Sequence, residues 1–213
     1  MPRRNRVDPW GDMHAVEARG MFTGNRGCVV DDNERVVRHH AGSLWIICRT
    51  EFRDWRVALA RPRRWTPLFF LDDAVALGAG HRPCATCRRA DYVCYRDAVT
   101  LTLERAEPVR AWEMNGLLAA ERLSPGRGLV RAADRKLWTS DIAALPDGTL
   151  IVDAAGEARL VLTDRLLRFS FGGWTDPIER PCVGTATVLT PPTSVGALVN
   201  GFRPTLHPSA GLD

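Results

Sequence analysis

Apolar and polar positions change period near residue 72. Before it, short runs rich in β-branched and aromatic residues alternate with turn formers. Met21–Val30 is interrupted by Gly24-Asn25-Arg26-Gly27, and Arg35-Val36-Val37 follows an Asp31-Asp32-Asn33 turn. Ser43–Phe52 (SLWIICRTEF) predicts a strong strand. Arg53-Asp54 predicts a tight turn into Trp55–Leu59, which makes the two runs a hairpin. Thr66–Phe70 predicts a further strand. From Asp72 the spacing turns helical. Asp72 is placed to N-cap a helix with Ala74, Val75 and Gly78 on one face, and Gly80 stops it. A second helix, about Arg88–Leu103, sets Ala90, Val93, Cys94 and Leu101 on one stripe, which predicts that Cys94 is buried. A third, about Val109–Leu123, turns Met114, Leu117 and Leu118 inward.

Ser124-Pro125-Gly126-Arg127-Gly128 reads as a linker. Beyond it the pattern returns to β at Thr149–Val152, Arg159–Leu162, Leu166–Phe171 and Thr185–Thr190, with turns at Asp147-Gly148 and Ala155-Gly156. A short helix follows near Ser194–Asn200. The expected class is α+β. The expected division is an irregular arm over 1–20, a strand-and-helix module over 21–123, and a β-rich part over 129–213.

Composition narrows the function. The chain has 213 residues, 45% hydrophobic and 25% charged, as folded soluble domains do. No apolar run approaches the roughly 20 residues of a membrane span. The charged start, Met1-Pro2-Arg3-Arg4-Asn5-Arg6, has no apolar stretch behind it, so the expected location is the cytoplasm. In that setting the six cysteines point to metal binding or burial rather than to disulfides. Charge is uneven. Residues 1–110 carry 19 basic and 14 acidic groups, and residues 111–213 carry 10 and 11. Of 29 basic residues only Lys136 is lysine, and arginine forks onto phosphates and stacks on bases.

The sharpest chemistry is Cys84-Ala85-Thr86-Cys87, between a glycine-ended helix and a helix opening with Arg88-Arg89. Two thiolates at this spacing grip one metal ion, and basic neighbours favour the thiolate. Cys48, in the hairpin segment, is the expected third sulfur. Zn2+ is the expected ion.

Phe69–Arg89 (FFLDDAVALGAGHRPCATCRR) resembles the closing segment of the Ada-type N-terminal zinc domain, with its FF, AG, RPC-x-x-C-R pattern. Trp45–Arg49 (WIICR) is similar to that domain's upstream strand, which ends in the first zinc cysteine and an arginine. The likeness covers about residues 43–89. It implies a zinc-stapled hairpin and helix, DNA as partner, and repair or modification as context. It also implies that Cys48 stands where the family's methyl-accepting cysteine stands. The family's second cysteine falls four residues later, where this chain has Phe52. The fourth ligand then comes from elsewhere or is water. Cys28 is the first expectation and His39 or His40 the second. His81 takes the family's aromatic position and is expected to pack or stack, while Cys182 is a spectator.

Arg49, Arg53, Arg56, Arg61, Arg63 and Arg64 interleave with Phe52, Trp55 and Trp65, and Arg88 and Arg89 follow the knuckle. Arginine on phosphate and aromatic faces on bases make this a nucleic-acid surface, DNA before RNA. The competing reading is a hairpin whose aromatics face the core and whose arginines are solvated. P-loop, dinucleotide-binding, nucleophile-elbow and paired-carboxylate patterns are absent. The expected function is therefore a zinc-containing nucleic-acid-binding protein. A DNA-processing nuclease or repair transferase, and a zinc-stabilised interaction module, are the alternatives.

Overall fold

The computed structural model describes residues 2–53 and 63–211. The expected strand at Trp55–Leu59 lies outside them, as do Arg56 and Arg61. The architecture is α+β, with two six-stranded sheets. The first contains β1 (Arg6–Val7), β2 (Met13–His14), β3 (Phe22–Asn25), β4 (Ile46–Arg49), β5 (Leu68–Phe70) and β6 (Arg82–Pro83), with α1 (Asp73–Gly78) between the last two. Their order is β2-β1-β5-β3-β4-β6. β3 pairs antiparallel with both β4 and β5, while β6 runs parallel to β4. Residues 2–20, expected as an irregular arm, supply the pair β1–β2, and β1 docks on β5.

Helices α2 (Arg89–Thr102) and α3 (Ala111–Arg122) follow. The second sheet is antiparallel throughout: β7 (Trp138–Asp141), β8 (Leu150–Val152), β9 (Ala158–Val161), β10 (Arg165–Ser170), β11 (Gly173–Glu179) and β12 (Thr185–Val188). Its order is β11-β10-β9-β8-β12-β7. Helix α4 (Pro192–Val199) closes the set. Among the described residues no helix is long and apolar enough to cross a membrane.

Asp72 explains where α1 starts. One carboxylate oxygen accepts the Val75 N–H at 3.1 Å, capping the helix. The other accepts the Trp174 indole N–H at 2.7 Å and the His207 N–H at 3.0 Å. The cap of a helix in the first half is thus a bond acceptor for the second half. Gly78 permits the same approach, because a Cβ there would meet Leu150 of β8 at 2.6 Å. One buried cluster runs from Val7, Ile47 and Phe70 through α1 to Leu160, Trp174 and Phe202. A smaller cluster, including Ile142, Ile151, Val161 and Val188, covers other residues of the second sheet.

The α2 stripe differs from expectation. Tyr92, Tyr95, Ala98 and Val99 are buried, whereas Ala90 and Cys94 are exposed and Leu101 is 62% exposed. The two tyrosines have more surface to bury than alanine or cysteine, and they set the rotation of the helix. Tyr95 meets Phe202 edge-on at 5.3 Å, and its hydroxyl bonds the Ser194 hydroxyl at 2.9 Å. Cys94 is therefore a surface thiol rather than a core one.

Candidate metal centre

Parallel pairing of β4 and β6 builds the centre. Ile46 lies opposite Arg82 and Ile47 opposite Pro83. The Cys84 N–H donates to the Ile47 carbonyl at 2.9 Å, so Cys48 and Cys84 meet where the pair ends. Strand alternation sets the orientation: Ile47 is fully buried, so Cys48 projects from the opposite face. A turn closed by the Arg88 N–H on the Cys84 carbonyl at 3.2 Å then carries Cys87 back toward the other two. The sulfurs of Cys48, Cys84 and Cys87 all lie within 4.8 Å of one another.

Backbone N–H groups point at this sulfur set. Thr86 donates to the Cys84 sulfur at 3.4 Å. The backbone of Arg49 bonds Cys87. With no ion present, the three thiols share their charge unevenly. Hydrogen bonds from Cys48 and Cys87, with help from backbone N–H groups, hold the Cys84 thiol far below the usual thiol range. The same contact with Cys84, then with Cys87, pushes the Cys48 thiol far up. Three sulfurs this close suit a soft divalent ion, because the ion takes the place of the protons that the thiols would otherwise keep.

The sulfurs line a hollow of about 430 Å³. Leu44, Ile46, Phe52 and Trp65 form its apolar wall, and Thr23, Asn25 and Thr50 its polar positions. Phe52, four residues after Cys48, is part of that wall. The hollow gives a molecule from solution a route to the sulfurs. The sequence marks Phe52 and Trp65 as aromatics among arginines, but not the hollow itself, because its residues come from separate segments.

Other expected ligands lie elsewhere. Cys28 stays outside the group and sets its thiol 3.6 Å from the Val30 carbonyl. Its loop is held by the Thr66 N–H on the Gly27 carbonyl and the Val37 N–H on the Val29 carbonyl. His39 is buried, with Nε2 bonded to the Gly11 carbonyl at 2.9 Å and Nδ1 to His40 at 3.1 Å. His81 packs as expected, against Trp45 at 4.9 Å and Phe70 at 4.7 Å. Cys182 is exposed.

The expected nucleic-acid arginines divide into two groups. Arg49, Arg53, Arg63, Arg64 and Arg89 are exposed. Arg53 lies over the Phe52 ring at 5.0 Å, Arg63 pairs loosely with Asp32 at 3.8 Å, and Arg89 is 5.8 Å from the Tyr92 ring. Arg88 is only 3% exposed. It grips both oxygens of Asp73, reaches Asp91 at 2.7 Å and covers the Phe22 ring at 4.2 Å. Its guanidinium is engaged inside the protein.

Comparison with models of known families, with curated proteins and with solved structures finds no match for this chain.

Proposed function

We propose that this chain is a zinc-thiolate protein that binds nucleic acid, with Cys48, Cys84 and Cys87 as its zinc ligands. The observation that carries the reading is the sulfur triad: donors from two distant segments, held within 4.8 Å and met by backbone N–H groups. Bound zinc would keep its thiolates deprotonated at neutral pH. The chain's own residues do the rest. Pairing of β4 with β6 fixes the spacing of the donors, and the Thr86 and Arg49 backbones support charge on sulfur. Exposed Arg49, Arg53, Arg63, Arg64 and Arg89 supply cations on the surrounding surface, and half-exposed Trp65 supplies a ring for base stacking.

Metal analysis of protein purified without chelator tests the first half. We expect one zinc per chain. Cys84→Ser should lose it and, at a cost of about 3 kcal/mol, lower the Tm by about 6–12 °C. Far less than one equivalent in the parent protein would end the assignment. The nucleic-acid half ends if neither duplex nor single strand binds at low salt.

A further inference from the structure

A second cavity, of about 450 Å³, lies between the end of α3 and the segment before β4. His40, Ser43, Arg122, Ser124, Arg131 and Lys136 supply its polar lining, with no carboxylate among the lining residues. Arg122 and Arg131 are each only 3% exposed, so their charges sit largely out of water. Arg131 is balanced by Asp134. Arg122 is not: it donates to the Gly80 carbonyl at 2.9 Å and the Ser43 carbonyl at 2.7 Å, and it lies on the Trp45 ring at 3.8 Å.

Two more buried arginines add to the charge. Arg26 donates to the Gly11 carbonyl at 2.7 Å, while its Nε and other terminal nitrogen lack partners among the described residues. Arg135 donates to the carbonyls of Gly78 and Leu189. Among the described residues no carboxylate lies within ion-pair distance of Arg26, Arg122 or Arg135. Burial, then repulsion from Arg135 and Arg26, brings the Arg122 guanidinium down to about 9. Asp8 and Asp12 offset part of the charge of Arg26 and Arg135 from a distance, whereas among the described residues no carboxylate does so for Arg122. A buried cation without a counter-charge is costly, and an anion at the cavity would offset that cost.

His40 adds a preference. Because His39 Nε2–H donates to the Gly11 carbonyl, His39 Nδ1 accepts from His40 Nδ1–H, which leaves the His40 Nε2 lone pair unused by this relay. A phosphate group offers oxygens to arginine and lysine, and its monoanion also offers one P–OH to such a lone pair. A carboxylate offers only the first.

We propose that this cavity is a phosphate-binding site, for the phosphate of a small phosphorylated molecule or of a nucleic-acid backbone. Its volume falls in the usual range of roughly 300–1,000 Å³ for small-ligand sites. The site stands independently of the cysteine centre.

The probe is inorganic phosphate, titrated calorimetrically into the full chain at constant ionic strength. Lys136→Glu is the informative variant, because Lys136 is exposed and its side chain donates to the Ala120 carbonyl at 2.7 Å, a bond to backbone rather than to another side chain. We expect saturable binding that Lys136→Glu weakens about tenfold or more, with the Tm unchanged in the absence of phosphate. Arg19→Glu, the same change of charge on an exposed residue outside the cavity, should bind as the parent does. No saturation up to about 10 mM phosphate would overturn the site. So would equal weakening in both variants, which would report net charge alone. Competition then assigns the source. Displacement of phosphate by a nucleoside monophosphate but not by a duplex marks a small-molecule site, and displacement by the duplex marks a backbone contact.

Discussion

His81 shows how one residue can pack like an aromatic ring and carry a cost in doing so. It lies between Trp45 and Phe70. Yet neither of its ring nitrogens makes a well-formed hydrogen bond among the described residues, although the Ala76 backbone lies near enough to favour its proton slightly. Burial first, then the charges of Arg26 and Arg122, hold its protonation well below the usual imidazole range. The folded protein therefore keeps His81 neutral, while the unfolded chain protonates it below about pH 6.5. The unfolded state binds the extra proton, so stability is lost as pH falls below that value. His81→Phe should remove this slope. Between pH 6.5 and 4.5 the variant should gain about 2–3 kcal/mol over the parent, read by urea melts at both pH values. Equal pH slopes in the two proteins would show that His81 protonates freely in the folded state. Asp72 works in the opposite sense. Burial raises it to about 6, so its contribution weakens as pH rises through the range from about 4 to 6.

At the scale of elements, the start of α1 is a junction. Asp73 holds Arg88 at the start of α2, and its carboxylate and backbone N–H both bond Thr205. Removing one partner of a buried ion pair leaves the other charge stranded, so Arg88→Ala should cost about 3–5 kcal/mol. Combining Arg88→Met with Asp73→Asn should cost less than the two changes added together. Chemical denaturation of the four proteins measures this coupling, and strict additivity would show that the pair does not act as a unit. Asp72, Gly80 and the apolar spacing between them were legible in sequence, because caps and glycine stops are local. Most strands of the second sheet were legible for the same reason. The rotation of α2 was not: it depends on Phe202 and Ser194, about a hundred residues away, meeting Tyr95. Cys84 and Cys87 were legible as a local pair, and Cys48 through its place in a strand. The cavity at Arg122 was not, since its cations come from loops and helix ends that no spacing rule connects.

For the whole molecule, charge asymmetry is the feature that bears on the proposed nucleic-acid partner. Residues 1–110 carry five more basic than acidic groups. If four or five of these cations meet phosphates, the log of DNA affinity should fall with log salt at a slope of about −3 to −5. Replacing Arg53, Arg63 and Arg64 with alanine should flatten that slope and leave the melting transition in place, since exposed arginines contribute little to stability. Anisotropy titrations at two salt concentrations decide it, and an unchanged slope would assign these arginines to solvation alone. The continuity of the core has a different consequence, for inheritance rather than energy. Asp72 bonded to Trp174, and Gly78 pressed on Leu150, mean that neither sheet has a finished inner surface of its own. Recombination at 124–128 would hand each descendant half of an interior. Each half then lacks part of its packing surface, so the cysteine cluster and the second sheet are expected to be inherited as one segment.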